Sequence, residues 1–233
     1  MKAVIFDLFE TLVDFSFEHY SEVIASMARR VGKDPDQFVP AWHANWAKRE
    51  IGQFGDVADY ITALAGPVES EPDLAAAAAI HWACEKQLLM PHADTIATLK
   101  SLKDTGYKIG VITNCPMETP TLWSESPLSK WVDCAVFSFV EKTRKPDPAI
   151  FLTCLERLGL LPNECVYVGD GANRELEASS AVGMYTIRVG NHHIGAEQNA
   201  DGWEGPVISS LSELIPHIQG ISQTDKKRSH SPF

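Results

Sequence analysis

Two short segments each run from apolar residues straight into a carboxylate. Val4-Ile5-Phe6 leads into Asp7, and Val166-Tyr167-Val168-Gly169 leads into Asp170, with Glu175 five residues further on. Such apolar runs indicate strands buried on both faces, and in open α/β sheets the carboxyl ends of these strands meet the ligand. Asp7 is therefore a candidate nucleophile or metal ligand. Two carboxylates at one crevice would suit Mg²⁺, which prefers oxygen ligands.

Two further segments add neutral hydrogen-bonding groups and a cation. Thr113 and Asn114 end a third apolar run, where a hydroxyl and an amide can donate hydrogen bonds to a phosphoryl oxygen. Lys145 stands just before Pro146-Asp147-Pro148, a typical helix start, and can neutralise an anionic substrate. Each feature also has a plainer interpretation, because Asp, Thr and Asn commonly form turns or cap helices and a lysine in a loop is commonly exposed.

The elements that must position these residues alternate in type along the second half of the chain. Strands are predicted at 108–114, 134–138, 165–169 and 185–189, and helices at 94–105, 148–158, 174–182 and 210–221. Such alternation indicates a doubly wound parallel sheet with helices on both faces. Between Phe15 and Leu89 only helical spacing occurs, and Gly- and Pro-containing breaks divide that segment into about four helices. This helical insertion follows the Asp7 turn directly, so we expect it to cover the site.

Composition excludes several classes of function. A net charge of −11, from 31 acidic and 20 basic residues, repels a nucleic-acid backbone. Five scattered cysteines without paired spacing argue against a zinc site or a disulfide framework. No apolar run reaches the length of a membrane span and the first strand begins at once, so we expect a cytoplasmic protein without a signal peptide. Either a monomer or a homodimer fits these features.

Taken in order, the four segments resemble the four motifs of the haloacid dehalogenase-like hydrolase superfamily, in its subfamily I with an inserted cap. The matching stretches are Asp7-Leu8-Phe9-Glu10-Thr11-Leu12, Thr113-Asn114, Lys145-Pro146-Asp147-Pro148, and Gly169-Asp170 with Glu175. The resemblance implies a Rossmann-like core formed by residues 1–14 and 91–221 and a helical cap formed by residues 15–90. We expect the remaining tail, residues 222–233, to be disordered.

The resemblance also implies a role for each motif residue. Asp7 would form the covalent intermediate, Thr113 and Asn114 would bind the transferring group, and Lys145 would orient the nucleophile. Mg²⁺ would be held by Asp7, the backbone carbonyl of Phe9, Asp170 and Glu175, the last either directly or through water. Phe9, Glu10 and Thr11 would contact a small anionic substrate. The favoured activity is a Mg²⁺-dependent phosphatase acting on a small phosphorylated metabolite.

One position departs from the phosphatase pattern. The family's phosphatases carry a second Asp two residues after the nucleophile as general acid, and this chain has Phe9 there; Glu10 could substitute for the lost acid. An aromatic residue at this position resembles the 2-haloacid dehalogenases, for which Arg29, Arg30 or Arg49 could hold a carboxylate and Trp42, Trp46 and Phe54 could cradle a halide. A non-catalytic relative is a third hypothesis. We favour the phosphatase because clustered carboxylates without a cation are electrostatically costly.

Overall fold

A parallel sheet lies at the centre of the molecule. The computed structural model describes residues 1–92, 94–190 and 202–220. Within these residues the sheet has six strands: β1 Ala3–Phe6, β2 Lys108–Thr113, β3 Cys134–Phe137, β4 Cys165–Gly169, β5 Tyr185–Val189 and β6 Val207–Ile208. Their order is β3-β2-β1-β4-β5-β6, and every pairing is parallel. The predicted α/β class with a doubly wound parallel sheet is confirmed.

The central strand β1 shows why an apolar run becomes a buried strand. Its side chains alternate between the two sheet faces, as in any strand. Val4 and Phe6 pack into the apolar cluster on one face, whereas Ala3 and Ile5 pack into the cluster on the other. All four residues are fully buried. A strand without a polar face can therefore only lie between two layers of helices.

A helical segment is inserted between β1 and the rest of the sheet. Its helices are α1 Phe17–Arg30, α2 Pro35–Ala44, α3 Trp46–Glu50, α4 Val57–Ala65 and α5 Glu71–Leu88. They surround an apolar cluster of their own that includes Tyr20, Trp42 and Tyr60. The predicted inserted helical segment is therefore confirmed.

The inserted segment has five helices, whereas about four were predicted, because one break between helices was missed. The unpredicted break falls at Asn45, whose backbone leaves the helical conformation and whose side-chain amide donates to the Ala41 carbonyl at 3.0 Å. Neither Gly nor Pro marks this position, so turn-residue patterns do not reveal it.

The helices after the insertion flank the sheet: α6 Thr95–Asp104, α7 Glu118–Leu122, α8 Ser138–Glu141, α9 Pro148–Leu158, α10 Glu175–Val182 and a final helix over 214–220. The bounds of α9 match the prediction, because Asp147 caps its first turn and Gly159 ends it in a left-handed conformation. The predicted helix start at Arg174 was early by one residue, since Arg174 has a φ of 55°. The short elements α7, α8 and β6 were missed because they span too few residues to show a period.

One prediction concerns residues outside this description. The tail over 222–233 lies beyond the described residues. Among the residues that are described, no helix combines the length and the apolar character that crossing a bilayer demands.

Candidate active site

The carboxyl ends of three neighbouring strands bring the motif residues together. Phe6 of β1 lies in register with Val111 of β2 on one side and Val168 of β4 on the other. Asp7 follows β1, and its backbone amide donates to the Val168 carbonyl at 2.9 Å. Asp170 follows β4 directly. The parallel sheet thus places residues far apart in sequence at one edge, as predicted from the two acidic strand ends.

Lys145 forms the centre of this edge. Its ammonium group contacts the Asp7 carboxylate in a short charged hydrogen bond and donates to Glu175 Oε2 at 2.5 Å. The lysine side chain is only 2 % exposed, and those of Asp7 and Glu175 are 7 % and 0 % exposed. Water cannot solvate these charges, so each depends on its partner.

Asn114 fixes the position of Lys145 from the neighbouring strand end. Its Oδ1 accepts from the Lys145 backbone amide at 2.8 Å, and its Nδ2 donates to the Lys145 carbonyl at 3.1 Å. Thr113 is fully buried, and its hydroxyl lies 3.4 Å from the Asn114 carbonyl. The structure thus gives Asn114 a positioning contact that sequence reasoning did not anticipate.

Glu175 is held below the strand edge by several donors. Tyr167 Oη donates to Glu175 Oε2 at 2.8 Å, and the Gly171 amide donates to Oε1 at 3.2 Å. A Cβ on Gly169 would lie 2.0 Å from Oε1, so only glycine leaves room for the carboxylate there. Sequence reasoning missed Tyr167, which reads as one more apolar residue of β4.

Burial of several acids at one place raises the pKa of each. Desolvation, together with the charge of Glu175, raises the pKa of Asp7 to about 7. Desolvation and the charge of Asp7 raise the pKa of Asp170 to about 6. Burial alone would lower the pKa of Lys145, but the carboxylates of Asp7 and Glu175 raise it above its usual value. The lysine is therefore an ammonium ion that only partly offsets the acids.

The acids at this edge fit a small divalent cation. Asp7, Asp170 and Glu175 each offer a carboxylate oxygen, and these oxygens lie within 4.8 Å of one another. An all-oxygen donor set suits Mg²⁺. Because donors already occupy both oxygens of Glu175, the arrangement favours Asp7 and Asp170 as direct ligands and Glu175 as an indirect one.

A cavity of about 400 Å³ opens beside this cluster. The predicted site residues that line it are Asp7, Phe9, Glu10, Asn114, Lys145 and Asp170. Three others do not line it: Thr11, Thr113 and Glu175. Thr11 instead places its hydroxyl 3.4 Å from Asp7 Oδ2, which favours a positioning role over the predicted contact with substrate. The volume of the cavity suits a small molecule.

Glu10 has an unusual backbone conformation for its residue type. Its φ of 62° lies in the left-handed region, which glycine adopts at no steric cost. The Glu10 side chain accepts from the Phe15 amide at 3.1 Å, so a contact to the inserted segment accompanies this conformation. Glu10 lines the cavity, but its role as a replacement acid stays a prediction.

The inserted segment supplies the opposite wall of the cavity. Phe15, Tyr20 and Trp46 line it as aromatic residues, and Glu50 and Glu85 line it as acids. Of the three aromatic residues predicted to cradle a halide, Trp46 lines the cavity. Trp42 and Phe54 belong instead to the apolar cluster inside the insertion, which corrects that part of the prediction.

The predicted arginines do not reach the cavity. Arg29 and Arg30 are exposed on α1, and Arg49 is buried and pairs at 2.8 Å with Glu118 of α7, which lies outside the insertion. Arg144, in the loop before α9, lines the cavity instead. Its partners are Glu50, at 2.8 Å, and Asn173, at 2.8 Å. Only the tertiary contact between this loop and α3 places Arg144 in the site.

Several phosphatases are similar to this chain in sequence. It is 30% identical to the glyceraldehyde 3-phosphate phosphatase of Methanothermobacter thermautotrophicus, over 92% of this chain and 98% of that protein. It is 32% identical to the enzyme of the same name from Methanopyrus kandleri, over 66% and 68% of the two chains. Phosphoglycolate phosphatase 1 of Pseudomonas aeruginosa is 29% identical, over 92% and 79%.

Solved structures show the same fold in both phosphatases and dehalogenases. A phosphatase from Thermococcus onnurineus has a TM-score of 0.69 and 23% identity, covering 94% of this chain and 98% of its own. A 2-haloacid dehalogenase from Pseudomonas syringae has a TM-score of 0.68 and 20% identity, with coverage of 94% and 98%. The family model described as haloacid dehalogenase-like hydrolase matches residues 1–183. Together with the strand-edge site, this match shows that the chain belongs to the haloacid dehalogenase-like hydrolase family.

Proposed function

We propose that this hydrolase is a Mg²⁺-dependent phosphatase that acts on a small phosphate monoester, with Asp7 as nucleophile. The observation that carries the proposal is the buried group of Asp7, Asp170, Glu175 and Lys145, which opens onto a cavity of small-molecule size. Three acids with one ammonium ion leave excess negative charge, which a divalent cation would balance. The similarity to phosphatases over most of the chain supports the same activity.

The residues of the strand edge suggest a two-step reaction. An oxygen of Asp7 attacks the phosphorus in line, the bond from phosphorus to the leaving oxygen breaks, and an aspartyl phosphate forms. Water then attacks this intermediate, releases phosphate and restores the Asp7 carboxylate. Lys145 holds the nucleophile in place and offsets part of the repulsion between two anions. Asn114 keeps Lys145 in register, and Thr113 supports Asn114 from the core.

In this proposal Asp7, Asp170 and the backbone carbonyl of Phe9 would hold the cation, and Glu175 would support it through water. Bound Mg²⁺ would supply the positive charge that lets a phosphate group approach the Asp7 carboxylate. These acidic groups are suited to hold a metal ion. The identity of the ion rests on the oxygen-only donor set.

We also propose that residues 15–90 act as a cap over residues 1–14 and 91–221. The insertion lines the cavity with Phe15, Tyr20, Trp46, Glu50 and Glu85, so it forms the surface that a leaving group would meet. Excluding water from such a site strengthens every charge interaction inside it. Substrate choice would therefore depend mainly on the cap.

The proposal is tested by phosphate release from a panel of phosphate esters and acyl phosphates, with Mg²⁺ and with a chelator. We expect release with Mg²⁺ and its loss on chelation. In parallel, Mg²⁺ is expected to raise the melting temperature of the protein, because the cation binds the folded state and relieves the repulsion among the acids. Release that is equally fast in chelator would contradict the metal requirement.

A second candidate is halide displacement from a 2-haloacid, which Phe9 and the aromatic cavity wall favour. This reaction needs no general acid for the leaving group, because halide leaves without a proton. Halide release from 2-haloacids in the presence of chelator, without phosphate release from any ester, would select this candidate. The paired acids at Asp7 and Asp170 argue against it.

Phe9 leads to a prediction about leaving groups. The Phe9 side chain lines the cavity where the family's phosphatases carry their general acid. We expect Phe9→Asp to raise kcat for alkyl phosphates by about 10²-fold or more, since proton donation helps a poor leaving group. For esters of acidic phenols kcat should rise much less, because the phenolate leaves without a proton. Phe9→Asn is the matched control, because it introduces a polar side chain without an acid. Equal gains for both variants, or for both kinds of ester, would contradict the missing-acid interpretation.

A further inference from the structure

We propose that the leaving-group side of the cavity binds an organic cation, so that the substrate is the phosphate ester of an ammonium-bearing alcohol. This inference rests on the proposed phosphatase function and names its substrate class. It follows from two features of the insertion: an aromatic wall, formed by Phe15, Tyr20 and Trp46, and the carboxylate of Glu85 at the edge of that wall.

The aromatic wall is already assembled in the protein. The ring centroids lie 5.5 Å apart for Phe15 and Tyr20, 5.9 Å apart for Phe15 and Trp46, and 5.3 Å apart for Tyr20 and Trp46. Phe9 extends the wall toward the nucleophile, with its ring 6.1 Å from that of Phe15. Aromatic faces carry partial negative charge and attract ammonium groups, most strongly where water is excluded. The wall therefore places several aromatic rings on one side of the cavity.

Glu85 provides a carboxylate oxygen with no hydrogen-bond donor. Tyr20 Oη donates to Glu85 Oε1 at 3.2 Å, which attaches the acid to the aromatic wall. Glu85 Oε2 is buried and accepts no hydrogen bond, although Glu85 lines the cavity. A buried carboxylate short of partners is costly, and a cation held against the wall beside it would stabilise its charged form without a hydrogen bond.

The groups packed around Glu85 balance its charge only in part: burial and the charge of Glu118 raise the pKa of this carboxyl to about 7, and Arg49 opposes that rise. His81 lies 3.4 Å away, but burial holds the pKa of this histidine well below its usual range, so it adds no positive charge. Arg49 makes its close ion pair with Glu118, at 2.8 Å. Glu85 and Glu118 thus share one arginine, and a cation bound at the wall would complete the balance.

A negatively charged leaving group would find no unpaired cation among the described residues that line the cavity. The cations among the described residues that line the cavity are Arg144 and Lys145. Arg144 is paired with Glu50, at 2.8 Å, and Lys145 is paired with Asp7 and Glu175. A carboxylate on the leaving group would have to compete for these cations and would lie near Glu85. The cavity should therefore discriminate by charge against such esters.

The test compares two substrates of nearly the same shape. 3,3-Dimethylbutyl phosphate has a neutral carbon where choline phosphate has its positively charged quaternary nitrogen. The ratio of their kcat/KM values therefore measures the preference of the cavity for a positive charge. We expect choline phosphate to be favoured about tenfold. Glu85→Gln and Trp46→Leu should each bring the ratio toward one. Glu22→Gln, which changes an exposed acid on α1, should leave the ratio as in the native protein.

The outcomes separate this inference from the proposed function. Mg²⁺-dependent hydrolysis of both esters at equal kcat/KM, or a preference for phosphoglycolate, would overturn the inference and keep the phosphatase. Hydrolysis of neither ester nor of any other panel member would overturn the phosphatase. In that event calorimetry with choline and 3,3-dimethylbutanol decides the inference, which requires tighter binding of choline and its weakening by Trp46→Leu. Equal affinities would overturn it.

Discussion

Replacing Asp7 with Asn is expected to abolish phosphate release, lowering kcat by roughly 10⁴-fold or more, as removal of a nucleophile does in other covalent mechanisms. The Asn side chain keeps the shape of the site but cannot form the acyl phosphate. Mg²⁺-dependent release with the panel of esters is the measurement. An exposed acid at the end of α6 provides the control, and Asp104→Asn should keep full activity.

The same substitution should not weaken the fold. Asp7 is buried beside the acids Asp170 and Glu175, and its pKa is raised to about 7, so its charge is poorly accommodated without a metal. Asn removes this repulsion, while Lys145 keeps Glu175 as a partner at 2.5 Å. We expect the metal-free melting temperature of Asp7→Asn to equal or exceed that of the native protein. An inactive variant that is also unfolded would not support Asp7 as nucleophile, and full activity would exclude it.

Replacing Lys145 with Met is expected to cost about 3–5 kcal/mol of unfolding free energy in the absence of metal. Lys145 is the cation in direct contact with both Asp7 and Glu175, and all three side chains are buried. Without it, two carboxylates must either stay charged without a partner or take up protons. The measurement is urea unfolding at pH 7 in chelator, and turnover should also fall because the nucleophile loses its orientation.

A double variant distinguishes charge from packing as the cause of this loss. In Lys145→Met with Glu175→Gln, one of the two unpaired acids is neutral, and Tyr167 can still hydrogen-bond the amide. We expect the double variant to be more stable than Lys145→Met alone. Lys100→Met, at an exposed position of α6, is the control and should change stability little. A Lys145→Met protein as stable as the native one would show that the acids do not need this cation.

Local residue patterns in the sequence determined the fold class and the position of most site residues at the carboxyl edge of the sheet. Apolar runs of four or five residues such as β1 and β4 indicate buried strands, and the acid after each such strand lies at the sheet edge. Because parallel strands align their carboxyl ends, Asp7, Asp170 and the Thr113-Asn114 pair were predicted to lie together without coordinates. Helix caps such as Asp147 are equally local, so α9 was predicted with its bounds.

The contacts that connect distant segments were decided by the tertiary structure. No pattern in the sequence shows that the Asn114 side chain hydrogen-bonds the Lys145 backbone. The same holds for the hydrogen bond from Tyr167 to Glu175 and for the ion pair between Arg144 and Glu50. These contacts depend on side-chain direction and on how loops pack, and both vary freely at a given residue spacing.

The inserted helices show most clearly that sequence patterns do not determine contacts between distant segments. Their spacing predicted an apolar interior, but Trp42 and Trp46 stand four residues apart and one fills that interior while the other lines the cavity. Arg49, predicted to hold a substrate carboxylate, instead pairs with Glu118 of α7, outside the insertion. The sequence by itself thus determined where the nucleophile and its acids lie, because strand geometry is local and periodic. Only the tertiary structure decided which cap residues face them, because that depends on the packing of one segment against another.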